Sequence, residues 1–242
     1  MGASPYSTPM DILVTCCDKN RWALGPFSHQ FNQYWPNEFV MVAGYDQPGN
    51  LPDNFNFHSL GRQEDFPAER WSDALLLALS LVGPYPILML EDYWLTRDVD
   101  TEAVHMLLQY MREHPNVLRM DLTTDRLYAK HIRDAGPLDR LDLIQGTVES
   151  EYQLSFQAAI WNASLLRQIL QPGWTPWEAE TVGSTLIGDK LVMGTRQAPV
   201  RYLIAIKSGK FSLDGSWQYP PKQLEQVDID MLTLKGLLEG AS

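Results

Sequence analysis

Two adjacent carboxylates, Glu91 and Asp92, follow directly on the apolar run Ile87-Leu88-Met89-Leu90. Acids held at the end of a buried strand form an oxygen platform of the kind Mg2+ or Mn2+ prefers, and such an ion neutralises a diphosphate. The other reading of the pair is a cap that solvates a loop. Three further polar clusters stand behind strand-like runs: Thr15 to Asp18, Gly44 to Asp46, and Asp121 to Asp125 with Arg126. Asp121, Thr123 and Asp125 either line a ligand or satisfy a turn, because Asp and Thr readily bond neighbouring backbone amides. Trp94, Trp174 and Trp177 lie beside acids, and aromatic faces next to carboxylates suit sugar recognition; large aromatics also build cores.

The elements that would position these groups alternate. Strand character is found over 12–15, 39–43, 87–90 and 117–120, and helical periodicity over 74–81 and 101–113, where Val104, Leu107, Leu108 and Met111 share a face. Strands alternating with helices imply an α/β fold with a mainly parallel sheet covered on both sides, and such sheets bind ligands beyond the carboxyl ends of their strands. The remainder reads as a mixed half. It has a strand over 141–146, a helix over 162–170, a strand pair over 190–193 and 200–206 joined by a loop, and a peripheral helix over 229–238. Ser72 or Asp73 would cap the helix over 74–81.

Composition narrows the function classes. The 242 residues carry a net charge of -11, with pI near 4.8 and no block of Lys and Arg, which disfavours nucleic acid as a partner. Cys16 and Cys17 are adjacent and form no ordinary disulfide, and residues 1–9 lack the basic start and apolar core of a signal peptide. A cytoplasmic protein is expected, with 1–9 an extension and 10–242 one domain. The uncharged stretch 74–90 is broken by Gly83-Pro84-Tyr85-Pro86 and should not span a membrane. No Gly-x-x-x-x-Gly-Lys-Ser/Thr loop occurs, and no Gly-x-Gly-x-x-Gly follows the first strand.

Glu91-Asp92-Tyr93 at the end of a central strand resembles the acidic motif of GT-A glycosyltransferases, often Asp-x-Asp. The segment Ser155-Phe156-Gln157-Ala158-Ala159-Ile160-Trp161 and the later Pro176-Trp177-Glu178-Ala179-Glu180 are similar to those of bacterial and phage glycosyltransferase-like proteins. The resemblance implies a GT-A-like, Rossmann-like domain that uses a nucleotide-sugar donor, with UDP-sugar the expected one, and Mn2+ or Mg2+. It assigns the metal to Asp92, with Glu91 contacting the donor. Base and ribose fall to Thr15, Cys17, Asp18 and Asp46, and Arg70 and Asp73 either join them or serve the helix start. Glu180, or failing it Glu178, is the general base for an inverting transfer. Such a base takes the proton of the acceptor hydroxyl as that oxygen attacks the anomeric carbon. The acceptor would be a glycan or lipid-linked sugar, or a hydroxymethylated base in phage DNA. The other class is a carbohydrate- or nucleotide-binding protein of the same fold that lacks turnover.

Overall fold

The computed structural model describes residues 9–207, 209–216, 218 and 222–239. The expected extension therefore lies, apart from Pro9, outside the described residues. The chain opens with β1 (Ile12–Thr15), α1 (Leu24–Tyr34), β2 (Val40–Gly44), β3 (Phe55–Ser59) and α2 (Trp71–Ala78). It continues with β4 (Ile87–Leu90), β5 (Tyr93–Leu95), α3 (Thr101–Glu113), β6 (Val117–Asp121) and the single turn α4 (Asp125–Tyr128). The second half adds β7 (Ile132–Leu138), β8 (Leu141–Gly146), β9 (Ala159–Trp161), α5 (Ala163–Ile169), α6 (Pro176–Ser184), β10 (Leu191–Thr195), β11 (Tyr202–Ile204) and α7 (Gln226–Leu234).

One nine-stranded sheet organises the protein, in the order β3-β2-β1-β4-β9-β6-β10-β8-β7. β1 pairs in parallel with both β2 and β4, and β6 in parallel with β10. Only β9 and β8 run against the other seven strands. The sheet is thus mostly parallel in the first half and mixed in the second, as expected. Alternation along the strands sends Ile12, Val14, Ile87 and Met89 to a core shared with α1 and α3. Leu13 and Leu88 face the opposite layer, with Leu75 of α2, Leu166 of α5 and Ala179 of α6. Helices therefore cover both faces, and the parallel strands bury both sides.

Three expectations need correction. The segments over 190–193 and 200–206 are not a pair: β10 inserts between β6 and β8, whereas β11 leaves the main sheet to pair with β5. α2 starts at Trp71, so Ser72 and Asp73 sit inside it and cap nothing. Ser72 instead donates to Gln171 O and accepts from Trp174 N–H, tying α2 to the segment before α6. The C-terminal helix runs over Gln226–Leu234 rather than 229–238. The uncharged stretch 74–90 divides into α2 and β4, and among the described residues no helix is long and apolar enough to cross a membrane.

α6 begins with a reciprocal cap. Thr175 Oγ1 accepts from Glu178 N–H, and the Glu178 carboxylate accepts from Thr175 N–H, with Pro176 at the first helical position. Thr175→Ala should cost about 1 kcal/mol, a fall of roughly 2–4 °C in Tm by calorimetry. An unchanged Tm would mean that the cap does not hold the helix.

Candidate active site

A cavity of about 520 Å³ opens beyond the carboxyl ends of β1, β2 and β4. Its size is that of a small-molecule site. Tyr45, Phe66 and Trp71 supply aromatic walls, with Tyr45 and Phe66 centroids 5.9 Å apart, and Asn20 and Gln63 supply polar edges. Thr15, Cys17, Glu91 and Asp92 also line it, as does Pro176 of α6. A flat heteroaromatic ring bearing amide-like edges suits such walls.

The acidic turn is fixed at both ends. Trp94 Nε1 donates to Glu91 O at 3.2 Å, and Ala205 N–H donates to Asp92 O at 2.9 Å. Glu91 is buried and takes hydrogen bonds from the Cys17 thiol, at 3.9 Å, and from the Asn20 side chain. Burial pushes both carboxyls above their ordinary values, and for Asp92 the neighbouring charge of Glu91 adds to it. Burial also raises the Cys17 thiol, with Glu91 second. Among the described residues no group of three or more His, Cys, Asp or Glu could hold a metal ion. Two repelling carboxylates on a cavity wall nonetheless suit a divalent cation whose remaining positions are filled by water and phosphate oxygens, the habit of Mg2+.

The structure also explains why the acids are adjacent rather than alternating. β5 starts at Tyr93, and Tyr93 and Trp94 both point into the core, Tyr93 stacked on Tyr202 with centroids 4.3 Å apart. A second aspartate at either place would be a buried charge without a partner.

Glu180 lies at the middle of α6. Its Oε1 accepts from Phe156 N–H at 2.8 Å, and Phe156 O accepts from Tyr93 Oη at 3.2 Å. One residue therefore bridges the strand that follows the acidic turn and the candidate base. Burial raises the Glu180 carboxyl above its ordinary value, opposed by the Phe156 amide and the charge of Arg119. Arg119 is wholly buried in β6; its Nη2 lies 3.1 Å from Asp125 and 3.4 Å from Asp121, and among the described residues its Nε and Nη1 have no hydrogen-bond partner. Lys222 sits over the Tyr202 ring at 4.9 Å.

Several anticipated contacts are excluded by these positions. Trp94 is wholly buried and shows no surface to a sugar. Asp121 and Thr123 are likewise fully buried: the Asp121 carboxylate accepts from Thr123 N–H, Thr123 Oγ1 and Arg126 N–H, so this cluster builds a turn. Asp125 keeps partial exposure beside Arg119. Glu178 is committed to the cap of α6 and is a poor base, because the Thr175 contacts hold its carboxyl below the usual range. Asp18 and Asp46 do not line this cavity: Asp18 accepts from Asp46 N–H, and Asp46 pairs with Arg21 at 3.0 Å. Arg70 and Asp73 pair with each other at 3.3 Å outside it, and Asp73 also accepts from Gly173 N–H. Trp174 packs partly buried against the α2 layer, while Trp177 is 62% exposed. Tyr45 lies within the Gly44 to Asp46 cluster of the sequence reading without a role of its own there, and Gln63, Phe66, Trp71 and Arg119 escaped that reading. Of these four, Arg119 alone carried a signal, as a lone charge within an apolar strand run.

The sequence matches no protein-family model and no curated protein. Among solved structures the chain is similar to a CMP:2-keto-3-deoxy-manno-octonic acid synthetase complexed with CTP, at 12% identity and TM-score 0.40, over 77% of this chain and 89% of that one. It is also similar to a cytidylyltransferase from Leptospira borgpetersenii serovar Hardjo-bovis (strain JB197), at 12% identity and TM-score 0.39, over 72% and 69%. A third is the galactosyltransferase LgtC with donor and acceptor sugar analogs, at 13% identity and TM-score 0.36, over 66% and 60%. The functional reading rests on the cavity itself.

Proposed function

We propose that the protein is a metal-assisted glycosyltransferase that takes a nucleoside-diphosphate sugar, with UDP-sugar the first candidate, and transfers the sugar with inversion to a hydroxyl acceptor. The observation that supports this is the grouping of an aromatic-walled cavity, an acidic turn on its wall and a half-buried glutamate joined to that turn's strand through Phe156. The base would lie between Tyr45, Phe66 and Trp71, with the diphosphate toward Asp92. A divalent cation held by Asp92, with Glu91 behind it, would neutralise the departing diphosphate. Glu180 would take the proton of the acceptor hydroxyl as its oxygen bonds to the anomeric carbon. The bond from that carbon to the diphosphate oxygen breaks, and its electron pair leaves with the nucleotide.

Thermal-shift measurement with UDP-sugars, with and without Mn2+, tests the donor. A ligand at 100 times its Kd stabilises by about 2.7 kcal/mol, so Tm should rise with nucleotide sugar and rise further with Mn2+. No shift with any nucleotide sugar would remove the reading.

The hydrogen bonds that occupy Glu91 favour a second reading, a binding protein of this fold without turnover. A nucleotide-sugar shift accompanied by no hydrolysis or transfer would select it.

A further inference from the structure

A second cavity, of about 560 Å³, lies against the C-terminal half of α6. It is bounded by the 148–153 loop, by Thr181 and Ser184 of α6 and by Thr185, which caps that helix. α6 thus carries Pro176 on the wall of the first cavity, Glu180 in its middle and Ser184 on the wall of the second. At 1.5 Å per residue these are about 6 Å apart along the helix.

Tyr152 of the lining meets Trp177 of α6, and the two rings together have the chemistry of a sugar platform. Tyr152 is 43% exposed and Trp177 is 62% exposed, with ring centroids 6.0 Å apart at 60°. Tyr152 is held at φ 47°, a conformation that a bulky residue adopts only when its surroundings impose it. Those surroundings are built: Leu154 N–H donates to Ser184 Oγ, Arg126 Nη2 to Glu151 O, and Ser150 Oγ to the 130–131 backbone. The lining holds one carboxylate, Glu151, and no cation, which disfavours a polyanion.

We propose that this second cavity binds a neutral oligosaccharide acceptor, its sugar rings packed on Tyr152 and Trp177 and its terminal hydroxyl directed along α6 to Glu180. This rests on the glycosyltransferase reading, since it supplies the acceptor for that chemistry. Of the two acceptor classes, glycan and modified DNA base, a lining with a carboxylate and no cation selects the glycan.

The test is saturation-transfer difference NMR with cellotetraose, chitotetraose and maltotetraose at millimolar concentration. At least one should receive transfer at its ring C–H protons, and the signal should fall about fivefold or more in Trp177→Ala and in Tyr152→Gly. Tyr152→Gly separates binding from folding, because glycine accepts the positive φ and Tm should hold or rise while the signal is lost. Transfer to none of the three, or transfer unchanged in both variants, overturns the proposal. Binding of a hydroxymethylcytosine oligonucleotide in place of all three glycans also overturns it. A thermal shift of the same wild-type sample with UDP-sugar separates the two claims: a shift without glycan binding sinks the acceptor site alone, and absence of both sinks the donor reading as well.

Discussion

Asp92→Asn is expected to cut sugar transfer by about 10²–10⁴, the equivalent of several kcal/mol of lost charge stabilisation at the leaving diphosphate. The same change should stabilise the unliganded protein at high pH. Burial and the charge of Glu91 raise the Asp92 carboxyl above its ordinary 3.8, so folding favours its protonated form. For a carboxyl shifted upward, that stabilising contribution is full below the unfolded value and is lost as pH rises through the folded one. The wild type should therefore lose more Tm than Asp92→Asn between pH 5 and the alkaline side of that window. Activity and stability moving in opposite directions would mark Asp92 as a functional acid; loss of both would make it a structural one, and retention of activity would refute its role.

Glu180→Gln should lower kcat for transfer by about 10²–10⁴ while leaving the donor-dependent thermal shift in place. The amide oxygen of Gln can still accept from Phe156 N–H, so the local fold should survive. Because burial raises the Glu180 carboxyl, the acid limb of the wild-type rate profile should lie above the ordinary glutamate value of 4.5, with rate increasing as the base deprotonates. The variant should lose that limb. Wild-type turnover in Glu180→Gln would remove Glu180 from the chemistry.

The parts of the fold legible in the sequence are those where one local pattern decides. Ile12–Thr15, Ile87–Leu90 and Val117–Asp121 are apolar runs cut off by polar residues, and each is a strand of the main sheet. α3 spans Thr101–Glu113, with Asp100 capping it through Ala103 N–H, as its apolar stripe requires. α1 is hidden because Gly25, Pro26, Ser28, His29 and Asn32 are weak helix formers. Tertiary packing decides there: Phe27, Phe31 and Trp35 recur every four residues and stack on one another, and Phe55 meets the first two edge-on. β9 is three residues long, too short for a period, and its antiparallel place between β4 and β6 is set by pairing partners far away in the chain. At the site, the acidic turn could be found because it ends a buried strand. Thr175 and Glu178 stand at the spacing of a helix start, and that spacing was more informative about Glu178 than its nearness to Trp177. The aromatic walls of the cavity were less marked: Tyr45 directly follows β2, but Phe66 and Trp71 come from a loop and a helix start, and only the crossing of the chain brings the three together.

The pinning of the Glu91–Asp92 turn between two sheets bears on the entropy of ligand capture. Its backbone is held by hydrogen bonds at both ends, so under the proposed function an ion and diphosphate would not have to freeze a wandering loop on that side, and more of their intrinsic attraction would survive as affinity. The same stiffness means that this acidic corner has little freedom to reshape itself around a guest of another size.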